Sequence, residues 1–205
     1  MTDQRVVGLD LAGSENRPTG LCFLRNRKVI TKLAYGDGEI LEEIVSFNPS
    51  VVAIDAPLSL PAGKNLNSQY CIRKCDEELR KFGIRFFPIN FAGMRKLTER
   101  GIRLKKILEE KGIEAIETYP GAFYDLMGLP RPKKRRVVGQ VLRALTKKFN
   151  LEVEGVRERL SFHELDSIVC ALVGLLYLKG ESICLGDPKE GLMILPRPPK
   201  ENRKS

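Results

Sequence analysis

Four acids in this chain stand where an acid is costly. Asp10 ends the apolar run Val6-Val7-Gly8-Leu9, and Asp55 ends Val51-Val52-Ala53-Ile54. Glu117 ends Ile113-Glu114-Ala115-Ile116, and Asp166 opens a long apolar stretch with His163 three residues before it. An ionised carboxylate resists burial unless a partner neutralises it. Several carboxylates with a single histidine make an oxygen-rich set, which selects Mg²⁺ or Mn²⁺ over zinc. Such sets typically hold two metal ions that clamp the attacking and leaving oxygens of phosphodiester hydrolysis, so a two-metal site is expected. In that chemistry Asp10, Asp55 and Asp166 are the ligands, Glu117 a further ligand or the base that orients water, and His163 a proton carrier. Each residue also has a plainer reading. A strand-end Asp caps the turn that follows it, and Glu117 could pair with a basic residue of the segment 57–112. Asp166 suits the N-terminal end of a helix dipole, and His163 could bond to backbone.

The elements that must position these groups are legible as periodicities. Residues 5–12 are apolar on both faces until Asp10, the pattern of a buried strand. Strands are expected at about 19–24 and 29–34, joined by a hairpin at Asn26-Arg27. A short helix, 38–47, leads through Asn48-Pro49 into the strand that ends at Asp55. The order is therefore β-β-β-α-β. Residues 57–112 lack strand signals and read as a helical insertion, with helices near 71–82 and 94–111 and a Phe86-Phe87-Pro88 break between them; a lid is expected there. The strand ending at Glu117 follows, then helices near 122–127, 133–149 and 162–178 and a short strand near 192–195. In an α/β sheet ligands collect at the carboxyl ends of parallel strands. His163 and Asp166, three residues apart, share one face of their helix. Docking the first turn of that helix beside the strand ends would bring both to the cluster.

The chain has 205 residues and a net charge of +9, which favours an anionic partner, most simply nucleic acid, DNA or RNA. Arg73, Lys74, Arg80 and Arg157 are the candidate phosphate contacts, while Lys133-Lys134-Arg135-Arg136 reads as a solvated charge run. Five cysteines, an odd number, point to free thiols in a reducing cytoplasm, and the N-terminus reads as carrying no signal peptide. Cys71 and Cys75 supply two ligands where structural zinc takes four. The apolar stretch 165–178 is shorter than the roughly 20 residues of a membrane span, so no membrane partner is expected. One domain, 1–196, with a flexible basic tail, 197–205, is the expected organisation.

At these residues the chain resembles the ribonuclease H-like superfamily. His163-Glu164-Leu165-Asp166-Ser167 is similar to the H-x-x-D-[AS] signature of RuvC-type Holliday-junction resolvases. Gly8-Leu9-Asp10-Leu11-Ala12-Gly13, Ile54-Asp55-Ala56-Pro57-Leu58, Arg73-Lys74-Cys75-Asp76, Glu117-Thr118-Tyr119-Pro120 and the 163–171 stretch resemble an uncharacterised prokaryotic family of predicted nucleases with that fold. The resemblance implies a mixed α/β sheet flanked by helices, and metal-dependent cleavage of nucleic acid, with Asp10, Asp55, His163 and Asp166 in the resolvase ligand positions. A second copy of the chain, as a homodimer, is the other partner considered. The chain departs from the resolvases in having Asp55 where Glu is usual, in Glu117, and in the insertion. Two alternatives share the fold. One is an ATP-dependent phosphotransferase or ATPase of the actin and sugar-kinase group, faintly echoed by Asp10-Leu-Ala-Gly13-Ser14. The other is a nucleic-acid-binding protein without turnover.

Overall fold

In the computed structural model, which describes residues 3–69, 71–154 and 160–199, the chain opens as an antiparallel meander. Strand β1 (Arg5–Asp10) pairs with β2 (Thr19–Arg25), and β2 with β3 (Lys28–Ala34). The hairpin between β2 and β3 turns at Asn26, whose φ of 58° is a conformation that asparagine tolerates well. Helix α1 (Asp37–Phe47) ends on Asn48, again left-handed at φ 51°, and returns the chain to β4 (Val51–Asp55), parallel to β1. The β-β-β-α-β order read from the sequence is therefore present.

The insertion holds α2 (Lys74–Lys81) and α3 (Ala92–Glu110), after which β5 (Ala115–Thr118) runs parallel to β4. Helices α4 (Pro120–Leu126) and α5 (Arg135–Phe149) follow, then a two-residue edge strand β6 (Glu152–Val153) and α6 (Phe162–Leu178). A final hairpin, β7 (Ser182–Asp187) with β8 (Gly191–Pro196), completes an eight-stranded sheet in the order β6-β3-β2-β1-β4-β5-β8-β7. Strands β6 and β7 are additions to the sequence reading. The first is two residues long, and the second alternates a buried Leu185 with exposed Cys184 and so lacks a sustained apolar run.

Two layers of helix cover the sheet. Helix α6 is apolar nearly all round and packs with α4 and α5 against one face, burying Val6, Val51, Ala53 and Ile116. On the other face Ile40 and Ile44 of α1 meet Leu104 and Leu108 of α3 beneath Val7, Leu9 and Ile54. Helix α3 is thus part of the core. Its buried Arg100 fastens it there, donating to the carbonyls of Ala12 and Tyr35 and to Asp37, each at 2.7 Å. Helix α2 packs through Cys75 and Leu79 onto Leu185, Met193 and Leu195 of the last hairpin. The segment between α2 and α3, residues 82–91, is the part of the insertion that stands at the strand ends. Among the described residues no helix is long and apolar enough to cross a membrane.

Candidate functional site

Strand register decides which acids meet. Leu9 pairs with Ile54 and Ile54 with Glu117, so Asp10 and Asp55 lie one step further along their strands, level with Thr118. Side chains alternate across a sheet. Asp10 and Asp55 therefore share the face of Gly8, Ala53 and α6, whereas Glu117, one residue out of phase, points to the other face.

Helix α6 reaches Asp10 because two glycines let it. A Cβ on Gly8 would lie 2.1 Å from the Ser167 carbonyl oxygen, and one on Gly20 would lie 2.1 Å from that of His163. Gly20 is itself the cross-strand partner of Asp10. Backbone-to-backbone packing of this kind fixes the first turn of α6 directly over the end of β1. A capping box seals that turn: Ser161 Oγ accepts from the Glu164 amide at 3.1 Å, and the Glu164 carboxylate accepts from the Ser161 amide at 2.9 Å. Thr31 Oγ1 on β3 also donates to Glu164 at 2.9 Å, tying the helix start to the sheet.

Here three of the four acids converge. Asp10 and Asp55 end neighbouring parallel strands, close enough that the charge of one bears on the ionisation of the other. Burial raises the Asp55 carboxyl well above the usual carboxylate range, and the nearby charges of Asp10, Asp166 and Glu117 add to it. Asp166 is pushed up to about 7, chiefly by burial and then by Asp10. Tyr124 on α4 offsets part of that rise, its hydroxyl donating to Asp166 Oδ1 at 2.5 Å. His163 stands at the exposed rim with Nδ1 2.6 Å from Asp10 Oδ2, and that bond raises its pKa. Tyr124 escaped the sequence reading. Its one signal was a polar-tipped aromatic in a short helix beside the apolar Ala122 and Phe123, where a buried hydroxyl requires a partner.

Glu117 belongs to a different structure. Its carboxylate forms a two-pronged ion pair with Arg73, both bonds at 2.6 Å, and accepts from the Leu58 amide at 2.7 Å. Arg73 also binds Asp76, and its side chain is only 2% exposed. The placement of Arg73 among the phosphate contacts is corrected accordingly: the guanidinium is buried and committed to two carboxylates. Of the readings open for Glu117, pairing with a basic residue of the insertion is the arrangement present. Lys74 and Arg80 are exposed on α2, Lys74 with its Nζ 3.6 Å from Glu77. Arg157 lies outside the described residues.

The donor set of Asp10, Asp55 and Asp166 fits a hard divalent cation in chemistry and charge: all oxygen, partly buried, mutually repelling, with no arginine or lysine bonded to it among the described residues. Among the described residues no group of three or more His, Cys, Asp or Glu side chains surrounds a common point. Asp166 is held by Tyr124 and Asp10 by His163.

A family model described as "Protein of unknown function (DUF429)" matches residues 8–191 of the chain. No curated protein matches it. Among solved structures, Thermus thermophilus RuvC in complex with a Holliday junction substrate aligns with a TM-score of 0.51 at 13% identity, over 86% of this chain and 96% of that one. A second T. thermophilus RuvC structure aligns at 0.48 and 12% identity, covering 86% and 97%. The yeast mitochondrial Holliday junction resolvase Ydc2 aligns at 0.44 and 16% identity, covering 82% and 76%. The first of these likenesses shows a shared fold, the ribonuclease H-like mixed sheet flanked by helices.

Proposed function

The chain belongs to the DUF429 family, and from its ribonuclease H-like fold and its acid cluster we propose that it is a metal-dependent nuclease that hydrolyses phosphodiester bonds of nucleic acid. What supports this reading is the placing of Asp10 and Asp55 at the ends of β1 and β4 beside Asp166 in the first turn of α6, where burial and neighbouring charge raise the carboxyls of Asp55 and Asp166. A fold does not keep such a cluster for stability, because mutually repelling buried carboxylates weaken it.

Asp10, Asp55 and Asp166 would hold Mg²⁺ or Mn²⁺, which would supply Lewis-acid polarisation of a phosphoryl oxygen and activation of water near neutral pH. Binding requires Asp55 and Asp166 to release their protons, so the site is loaded as the pH rises past about 7. His163, charged more readily because of Asp10, shares its Nδ1 proton with that carboxylate and, when charged, carries a second proton at Nε2 that a leaving oxygen could take. Tyr124 orients Asp166 through its hydroxyl. Glu117 stays with Arg73, fixing the insertion to the end of β5. Exposed Lys74 and Arg80 remain proposed phosphate contacts.

The test is a cleavage assay with Mg²⁺ or Mn²⁺ across single-stranded, duplex, hybrid and branched substrates, with an EDTA control. Cleavage should fall by about a hundredfold or more in Asp55→Asn. Absence of wild-type cleavage on every substrate, or an undiminished rate in the variant, would sink the proposal.

A further inference from the structure

Next to Asp55 lies a cavity of about 240 Å³. Its lining combines the rings of Phe86, Phe87 and Tyr119 and the side chains of Met94 and Leu97 of α3 with the buried ion pairs of Arg73, and it includes Asp55 and Thr118. Thr118 is unusual there. Its Oγ1 is buried without a hydrogen-bond partner among the described residues, and Thr118 is 2% exposed. A buried hydroxyl is rarely left unbonded, and one lining a cavity marks a place for a ligand's polar atom.

The same aromatic wall has a second side. Phe86, Phe87 and Tyr119 also border a larger groove, about 650 Å³, whose other lining residues include Arg80, Arg85 and Arg131. The Arg80 guanidinium lies over the Phe86 ring at 5.2 Å, and that of Arg131 over Tyr119 at 5.7 Å. Arg131 is shared with Asp125, but among the described residues neither Arg80 nor Arg85 has a carboxylate partner. Beside the wall Phe87 and Phe91 stack on each other, centroids 5.6 Å apart, while 67% and 59% exposed. Large aromatics that face solvent side by side, flanked by arginines, are the composition of a surface that stacks bases and holds phosphates.

We infer that this wall divides one unpaired nucleotide between its two sides, the base in the cavity beside Asp55 and the phosphates in the arginine groove. The inference rests on the nuclease reading and narrows its substrate class to a strand with at least one base out of the stack: a single strand, or a duplex or branch from which a base is extruded. A paired base cannot enter the cavity, because its stacked neighbours would occupy the wall. The aromatic rings with Met94 and Leu97 suit the faces of the base, and the Thr118 hydroxyl suits its polar edge. The strand so held would lie with its backbone passing from Arg80 and Arg85 toward the acids.

The experiment is metal-free binding, in EDTA, of an oligothymidylate carrying one 2-aminopurine, a base whose fluorescence changes on stacking, against the same strand fully paired. The single strand should bind more tightly than the duplex and show the stacking signal. Phe87→Ala, at a position exposed enough to leave the fold intact, should weaken binding by about tenfold, and Phe87→Tyr should restore it. Thr118→Val, which keeps the shape and removes the hydroxyl, should also weaken binding, with Thr118→Ser close to wild type. Equal affinity for the duplex, no binding at all, or Phe87→Ala binding like wild type would overturn the inference. Since no cleavage is read, binding without any later metal-dependent cleavage would defeat the nuclease reading alone. Cleavage with an unaffected Phe87→Ala would defeat the pocket alone.

Discussion

Asp166 keeps a proton that an ordinary carboxyl has lost, and the consequence is measurable as stability. In the unfolded chain the group ionises near the ordinary carboxyl value of 3.8, in the fold at about 7. Between these values the folded state binds more protons than the unfolded one, so stability falls as pH rises through that window. Asp55, also raised, acts in the same direction. So does His163, whose stabilising bond to Asp10 is fully present below its unfolded pKa and lost as pH rises through the higher folded one. In EDTA the melting temperature should drop by roughly 4–8 °C between about pH 5 and about pH 8, a loss on the order of 2 kcal/mol. Mn²⁺ should recover most of the loss at the upper pH and little at the lower. Scanning calorimetry reads both. A flat profile in EDTA would show that the acids do not oppose one another.

Elements, not acids, assemble the site, and the contact between α6 and the first hairpin is the critical one. Gly8→Ala places a methyl where the Ser167 carbonyl stands, so the helix must lift. The cost is roughly 3 kcal/mol, and divalent-cation binding should be lost along with it; calorimetric melting and a Mn²⁺ titration of the same variant check the pair. A melting temperature equal to wild type would mean that α6 is seated elsewhere. The second joint is Arg73, which ties α2 to β5. Arg73→Met leaves Glu117 and Asp76 buried without a cation, a loss of about 3–5 kcal/mol by chemical denaturation. If Arg73 acted on phosphate instead, its loss would spare stability and weaken nucleic-acid binding. The sequence marked these elements well: β1, β4 and α6 are long apolar runs, and α6 spans 162–178 as its pattern predicts. It could not show the destination of Glu117. Its run resembles the other two, and only the pairing of Ile54 with Glu117 puts it out of phase with Asp10 and Asp55. Arg73 was misread for a related reason, since a basic residue in a polar helix looks exposed until its partners are known. Tyr124 had no periodic signal, being one hydroxyl whose value depends on where α6 lands.

At the scale of the whole molecule, a chain of net charge +9 carries its acids in a recess beside an arginine-lined groove. The basic surface would gather the polyanion that the bare acids repel. Binding to a single strand should therefore weaken steeply with salt, with a log–log slope of roughly −2 to −4 if three to six phosphates are engaged. Fluorescence anisotropy across a salt series gives the slope, and a value near zero would rule out phosphate-led binding. The insertion completes this division of labour, since α3 is locked into the core by Arg100 while residues 82–91 build the wall over Asp55. The central claim is that Asp10, Asp55 and Asp166 converge in order to share a cation. Calorimetric titration of Mn²⁺ near neutral pH, in two buffers of different ionisation enthalpy, tests it most directly. The expected result is saturable binding that releases protons from the wild type and weakens by about 10–100-fold in Asp55→Asn. Failure of the wild type to bind, or equal binding by the variant without proton release, would contradict it.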